Sequence, residues 1–147
     1  KPKLTVKYNG MVLTEGEEYS DKWENNKKPG KATVTITGIG YCKGTKSATF
    51  SIIPKSVELS SLKEGKKSLT VKWKKGKSID GYEIQYSLKS NFKSAKKVTV
   101  SGASTKKTEI DGLKKKKTYY VRIRTFKEVD GKKYYSEWSN ILEKKTK

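Results

Sequence analysis

Leu69-Thr-Val-Lys-Trp73, Gly81-Tyr-Glu-Ile-Gln-Tyr86 and Tyr119-Tyr-Val-Arg-Ile-Arg124 decide the fold of this chain. In each stretch apolar and aromatic residues alternate with polar ones, the period of a strand that buries one face. Alternation predicts Leu69, Val71 and Trp73, then Tyr82, Ile84 and Tyr86, then Tyr119, Val121 and Ile123, as inward positions of a single core. A Trp on an early strand facing aromatics from two later ones is the filling a two-sheet sandwich needs, because its interior is only about 10 Å thick.

Working outward from these stretches, seven strands are predicted at 57–62, 68–73, 82–87, 97–100, 107–110, 118–127 and 133–142. Their turns carry specific residues. Asp80-Gly81 precedes the third strand, Asp111-Gly112 follows the fifth, and Asp130-Gly131 reads as a tight hairpin joining the last two. Before Pro54 the pattern is again period two. Leu4, Val6 and Tyr8 lead through an Asn9-Gly10 hairpin to Met11 and Leu13. Further strands follow around Tyr19 to Trp23, at Ala32, Val34 and Ile36, and at Ala48, Phe50 and Ile52. Pro54 interrupts the strand signal where composition shifts toward lysine, which places a boundary near residues 53–55. No segment has sustained helical periodicity. The expected fold is all-β with two tandem domains, a small antiparallel β domain at 1–54 and a seven-stranded β-sandwich at 55–147.

Hydrophobic residues make up 32% of the sequence and charged ones 34%, but three Trp, nine Tyr and three Phe supply large buried areas per residue, so a folded protein is expected. The net charge is +20. Residues 1–54 carry nine Lys and five acids, whereas residues 55–147 carry 26 basic residues and ten acids. Such a field attracts polyanions of any kind and weakens with salt. The first residue is Lys1 rather than Met, and no apolar stretch suits a signal segment or a membrane span, so a fragment whose address lies elsewhere is expected, with no membrane insertion of its own. One cysteine, Cys42, allows no internal disulfide and leaves the compartment open.

The chain has no His, which removes Ser-His-Asp and Cys-His catalysis and His-based metal ligation. Cys42 has no second thiol near it in sequence and is assigned no role. Glu15, Glu17, Glu18, Asp21 and Glu24 could supply oxygens to calcium, but their spacing is not that of an EF-hand, and an exposed acidic loop among lysines accounts for them. Of the 35 basic residues 33 are Lys, whereas base readout and bidentate phosphate contacts favour Arg, so no specific nucleic-acid partner is expected. No catalytic residue, metal site or cofactor is assigned. One candidate interaction surface remains, formed by Tyr120, Arg122, Arg124 and Trp138, which could stack on a sugar or dock a protein. The same four residues could instead form an internal ladder bracing adjacent strands.

Residues 55–147 resemble a fibronectin type III domain. The carriers are Trp73 in its strand, the run Gly81 to Tyr86, the Leu113 to Tyr119 spacing of a tyrosine corner, the run Tyr119 to Arg124, and the closing Tyr135-Ser-Glu-Trp-Ser139. The closing run is similar to the last-strand motif that cytokine receptors write with two tryptophans. The resemblance implies an immunoglobulin-like sandwich in which Trp138 stacks on Arg122 and Arg124. Lys114 to Lys117 stand where family members often have Pro-Gly. Residues 4–52 resemble a short β domain of repeat-bearing surface proteins from Gram-positive gut bacteria, carried by Tyr8-Asn-Gly10, Leu13-Thr-Glu-Gly16, Asn25-Asn26 and the stretch Pro29 to Gly38. Asp21 departs from that pattern and points to an edge strand or a partly open core. Both resemblances imply extracellular display, secreted or at the cell surface. The expected function is a noncatalytic structural or adhesive module of a larger bacterial protein, partnered by that protein's neighbouring domains. The alternative is a module that binds carbohydrate, a glycan or an anionic cell-wall polymer, or an appendage of a secreted enzyme.

Overall fold

A computed structural model describes residues 2–147, which form thirteen strands and no helix. The chain divides into two compact units, the first ending at Ile52 and the second spanning Ile53–Lys147. Among the described residues no helix is long and apolar enough to cross a membrane.

In the first unit, β1 (Lys7–Tyr8) and β2 (Met11–Val12) pair across Asn9-Gly10. Both turn residues have positive φ, 47° and 84°, as a type I′ hairpin requires. β3 (Tyr19–Glu24), β4 (Gly30–Gly38) and β5 (Thr45–Ile52) form an antiparallel sheet with β4 in the middle. Alternation on β4 buries Ala32 and Val34, and Tyr19 of β3 joins them. Trp23 and Phe50 meet edge to face, 5.7 Å apart at 76°. Asp21 lies on β3, an edge strand, and accepts a hydrogen bond from the Trp23 indole. This core stays partly open. A cavity of about 470 Å³ is lined by Leu4, Val6, Leu13, Tyr19 and Val34, and Ala48 at its side is exposed.

In the second unit, β6 (Leu59–Gly65), β7 (Ser68–Trp73) and β10 (Lys107–Ile110) make one antiparallel sheet with β7 central. The other sheet orders β9 (Lys96–Ser101), β8 (Gly81–Ser87), β11 (Thr118–Val129) and β12 (Lys132–Tyr135), with β13 (Leu142–Lys145) also paired to β11. Inward alternation from the two sheets fills one core. Leu69, Val71, Tyr82, Ile84, Val121 and Ile123 are fully buried, Trp73 and Tyr119 nearly so, and Tyr86 packs against them half-buried. Trp73 lies 5.1 Å from Tyr82.

Two expected strands differ from those observed. The strand read at 57–62 runs Leu59–Gly65, because Val57 is buried ahead of a bulge between Leu59 and Ser61. The strand read as continuous over 133–142 is split into β12 and β13. From Phe126↔Tyr135 to Val121↔Leu142 the β11 side advances five residues and the opposing side seven. The two extra residues are absorbed by Ser136 and Ser139. Ser136 N donates to Thr125 O and Ser139 N to Ile123 O, at 3.0 and 2.8 Å. Their hydroxyls each accept from the amide of the same β11 residue at 3.0 Å. Side-chain oxygens thus replace strand carbonyls, so the β11 amides stay paired while the chain bulges.

Two tyrosine hydroxyls close the loops. Tyr82 Oη accepts from Gly76 N at 2.9 Å and donates to Ala103 O at 2.8 Å. Tyr119 Oη accepts from Lys114 N at 3.0 Å, which is the tyrosine corner the spacing predicts. The turn without Pro-Gly is closed differently. Lys116 takes a left-handed φ of 54°, and the buried Thr146 hydroxyl donates to Lys114 O at 2.6 Å and accepts from Lys117 N at 3.2 Å.

Candidate functional site

Tyr120, Arg122 and Arg124 alternate with the core residues of β11 and therefore project from the sheet's outer face. The bulge between β12 and β13 brings Trp138 to the same face. Its ring centre lies 4.3 Å from the Arg122 guanidinium carbon and 4.5 Å from that of Arg124. Tyr135 extends the stack at 3.8 Å from Arg124, and Phe92 extends it at 4.1 Å from Arg122. The order along the face is Phe92, Arg122, Trp138, Arg124, Tyr135.

Phe92 has no place in the sequence-derived set. It sits in a polar loop after β8, where no alternation marks it, yet it is 8% exposed. Ser87 holds this loop, its hydroxyl accepting from Lys89 N and donating to Lys93 O. Tyr120 shares the outer face but stands opposite Glu143 of β13. The Glu143 charge and a hydrogen bond from the phenol raise the Tyr120 pKa above the ordinary tyrosine value.

One polar edge of each guanidinium, Nε with Nη2, is engaged. Arg122 donates from Nε and Nη2 to Gln85 Oε1, at 2.9 and 2.7 Å. Arg124 donates through Nε at 3.0 Å and Nη2 at 2.7 Å to Glu83 Oε1, and Lys97 lies 3.4 Å from the same oxygen. Glu83 is 6% exposed, so this carboxylate is buried beneath the ladder and depends on its cations. Burial first, and Arg124 second, lower the Arg122 pKa from its ordinary value. Rings against the guanidinium faces and an acceptor on each Nε–Nη2 edge commit these parts of both arginines to contacts within the unit.

The remaining chemical candidates are dispersed. Glu18 accepts from Thr14 N at 2.8 Å, and Glu24 pairs with Lys22 at 2.9 Å. Among the described residues no three His, Cys, Asp or Glu side chains come together to hold a metal. Cys42 is half-buried in the loop between β4 and β5.

The model of the fibronectin type III domain family matches residues 53–143. Among solved structures, the FN1-FN3 domains of chicken CNTN1 match with a TM-score of 0.54 and 18% identity, over 81% of this chain and 43% of that one. This chain thus spans less than half of that structure, and at such identity the likeness is one of fold. A structure titled "Myokine structure" matches at a TM-score of 0.46 and 19% identity, over 64% of this chain and 95% of that one. No curated protein matches the chain.

Proposed function

We propose that this chain, which belongs to the fibronectin type III family, is a noncatalytic spacer and protein-interaction module of a larger exported bacterial protein. Domains of this family serve as structural and interaction modules within larger proteins and are typically extracellular. In this reading residues 55–147 are the fibronectin type III domain, and residues 1–54 are a small surface-type β domain beside it. The partners are the parent protein's neighbouring domains, displayed outside the cell.

The observation that carries the reading is how many of the ladder's contacts are internal. Arg122 and Arg124 turn their faces to Phe92, Trp138 and Tyr135 and one edge each to Gln85 and Glu83. A binding face keeps hydrogen-bonding capacity for its ligand, whereas a brace uses it internally. Arg122, Arg124 and Trp138 therefore hold β8, β11 and the bulged final strand together, and Tyr120 lies beside them paired with Glu143. A module with such a brace transmits load between its ends through a rigid sheet.

Thermal unfolding of Trp138→Ala, run beside binding to the parent's neighbouring domains and to a glycan array, tests this. A brace loses about 1–3 kcal/mol of stability and leaves binding unchanged below the melting transition. Unchanged stability with loss of a partner would make the ladder a binding face.

A further inference from the structure

A second feature of the fibronectin type III unit shares the Phe92 loop with the ladder. Between the loop after β8 and the loop after β10 opens a cavity of about 460 Å³. That volume suits a small-molecule or single-sugar ligand. Lys89, Lys93, Lys96 and Lys114 line it, against Asp111 as the one carboxylate among its lining residues. Four lysines of this unit pair with carboxylates, Lys74 with Glu58, Lys97 with Glu83, Lys127 with Asp80 and Lys144 with Glu64. Among the described residues none of the four cavity lysines forms such a pair. Their charge is available.

The walls are fixed before any ligand arrives. Phe92, clamped on Arg122, and Ser87, bonded to both ends of the turn, hold the loop that carries Lys89 and Lys93. Lys114 is held through its amide by Tyr119 and through its carbonyl by Thr146, and Leu113 N donates to Lys67 O at 2.8 Å. Fixed loop backbones remove the loop-ordering part of the cost of binding. Tyr86 and Leu88 add apolar surface to the lysines, and Leu88 is 44% exposed. Burial raises the Tyr86 pKa, so its phenol stays neutral and able to donate.

We propose that this cavity binds an anionic sugar unit, one bearing a carboxylate or a sulfate. Lysine ammoniums are compact point charges that suit single anionic substituents at several positions, where planar arginine forks would favour bidentate recognition. Tyr86 and Leu88 offer an apolar wall to the carbon face of a pyranose. Nucleic acid fits less well, since the cavity's two tyrosines, Tyr86 and Tyr119, pack against each other and give no run of stacking platforms for successive bases. Sugar binding is separate from the bracing role, and its failure leaves that role untouched.

Titration of the whole chain with four probes tests the proposal: a carboxylated tetrasaccharide, a sulfated one, a neutral one and a single-stranded DNA oligonucleotide. Heteronuclear NMR shifts are read at about 0.3 M salt, where weak surface attraction is screened. The expected result is binding of at least one charged tetrasaccharide, and the two charged probes tell carboxylate from sulfate recognition. That binding weakens about tenfold or more in a Lys93→Ala, Lys96→Ala double variant. A Lys27→Ala, Lys28→Ala double variant, which removes the same charge from the other unit, binds as the parent does. Absence of charged-sugar binding, equal binding of the neutral sugar, equal loss in both double variants, or preference for DNA would each overturn it.

Discussion

The guanidinium carbon of Arg122 lies 4.3 Å from the centre of the Trp138 ring, although regular pairing onward from Phe126↔Tyr135 would set Trp138 opposite Ile123 instead. The contact exists because the chain between β12 and β13 carries two more residues than the β11 segment it pairs with. Ser136 and Ser139 make that excess tolerable by offering side-chain oxygens to the Thr125 and Ile123 amides. The bulge and the ladder are one device.

Tyr82 is fully buried and its hydroxyl is used in both directions, by Gly76 N and Ala103 O. Tyr82→Phe keeps the ring contact with Trp73 but strands a donor and an acceptor in the interior. The expected cost is about 1–3 kcal/mol in urea unfolding. A change below a few tenths would mean water replaces the hydroxyl.

Gly81 and Gly112 separate close approach from backbone conformation. A Cβ on Gly81 would sit 2.4 Å from Val100 O and 2.8 Å from the Phe126 ring, inside the sheet. At Gly112 nothing lies within 4 Å, but φ is +70°. Gly81→Ala should cost about 3 kcal/mol or more, and Gly112→Ala only about 1 kcal/mol. Equal melting temperatures for the two variants would refute the packing argument.

Asp80 ties the loop before β8 to β11. It accepts from Lys127 Nζ and from Glu128 N at 2.8 Å, and these bonds hold its pKa below the ordinary aspartate value. A carboxylate with a depressed folded pKa adds stability above the unfolded value, about 4, and loses it as pH falls through the folded value. The urea midpoint should therefore drop on acidification below about pH 4. Asp80→Asn should start lower at neutral pH and fall less steeply. Parallel pH profiles for the two proteins would sink this assignment.

Much of the second unit was legible because burial there follows strict alternation. Leu69, Val71, Tyr82, Ile84, Val121 and Ile123 all point inward, and the Asp130-Gly131 hairpin has the positive φ values, 51° and 73°, of its turn type. The Trp138 contacts with both arginines followed from the family resemblance. Phe92 escaped because its burial comes from a folded loop rather than a periodic strand. The break at Ser136 to Ile141 escaped because a serine that replaces a ladder carbonyl looks, in sequence, like any outward polar residue. Glu83 is buried on the outer face of β8 because Arg124 lies over it, a covering that strand alternation cannot reveal.

The bracing account is tested most directly by a double-mutant cycle on Arg122→Ala and Trp138→Ala, read as urea unfolding free energies. A structural ladder predicts a coupling of about 0.5–2 kcal/mol between the two residues. Additive single variants, with coupling indistinguishable from zero, would contradict it.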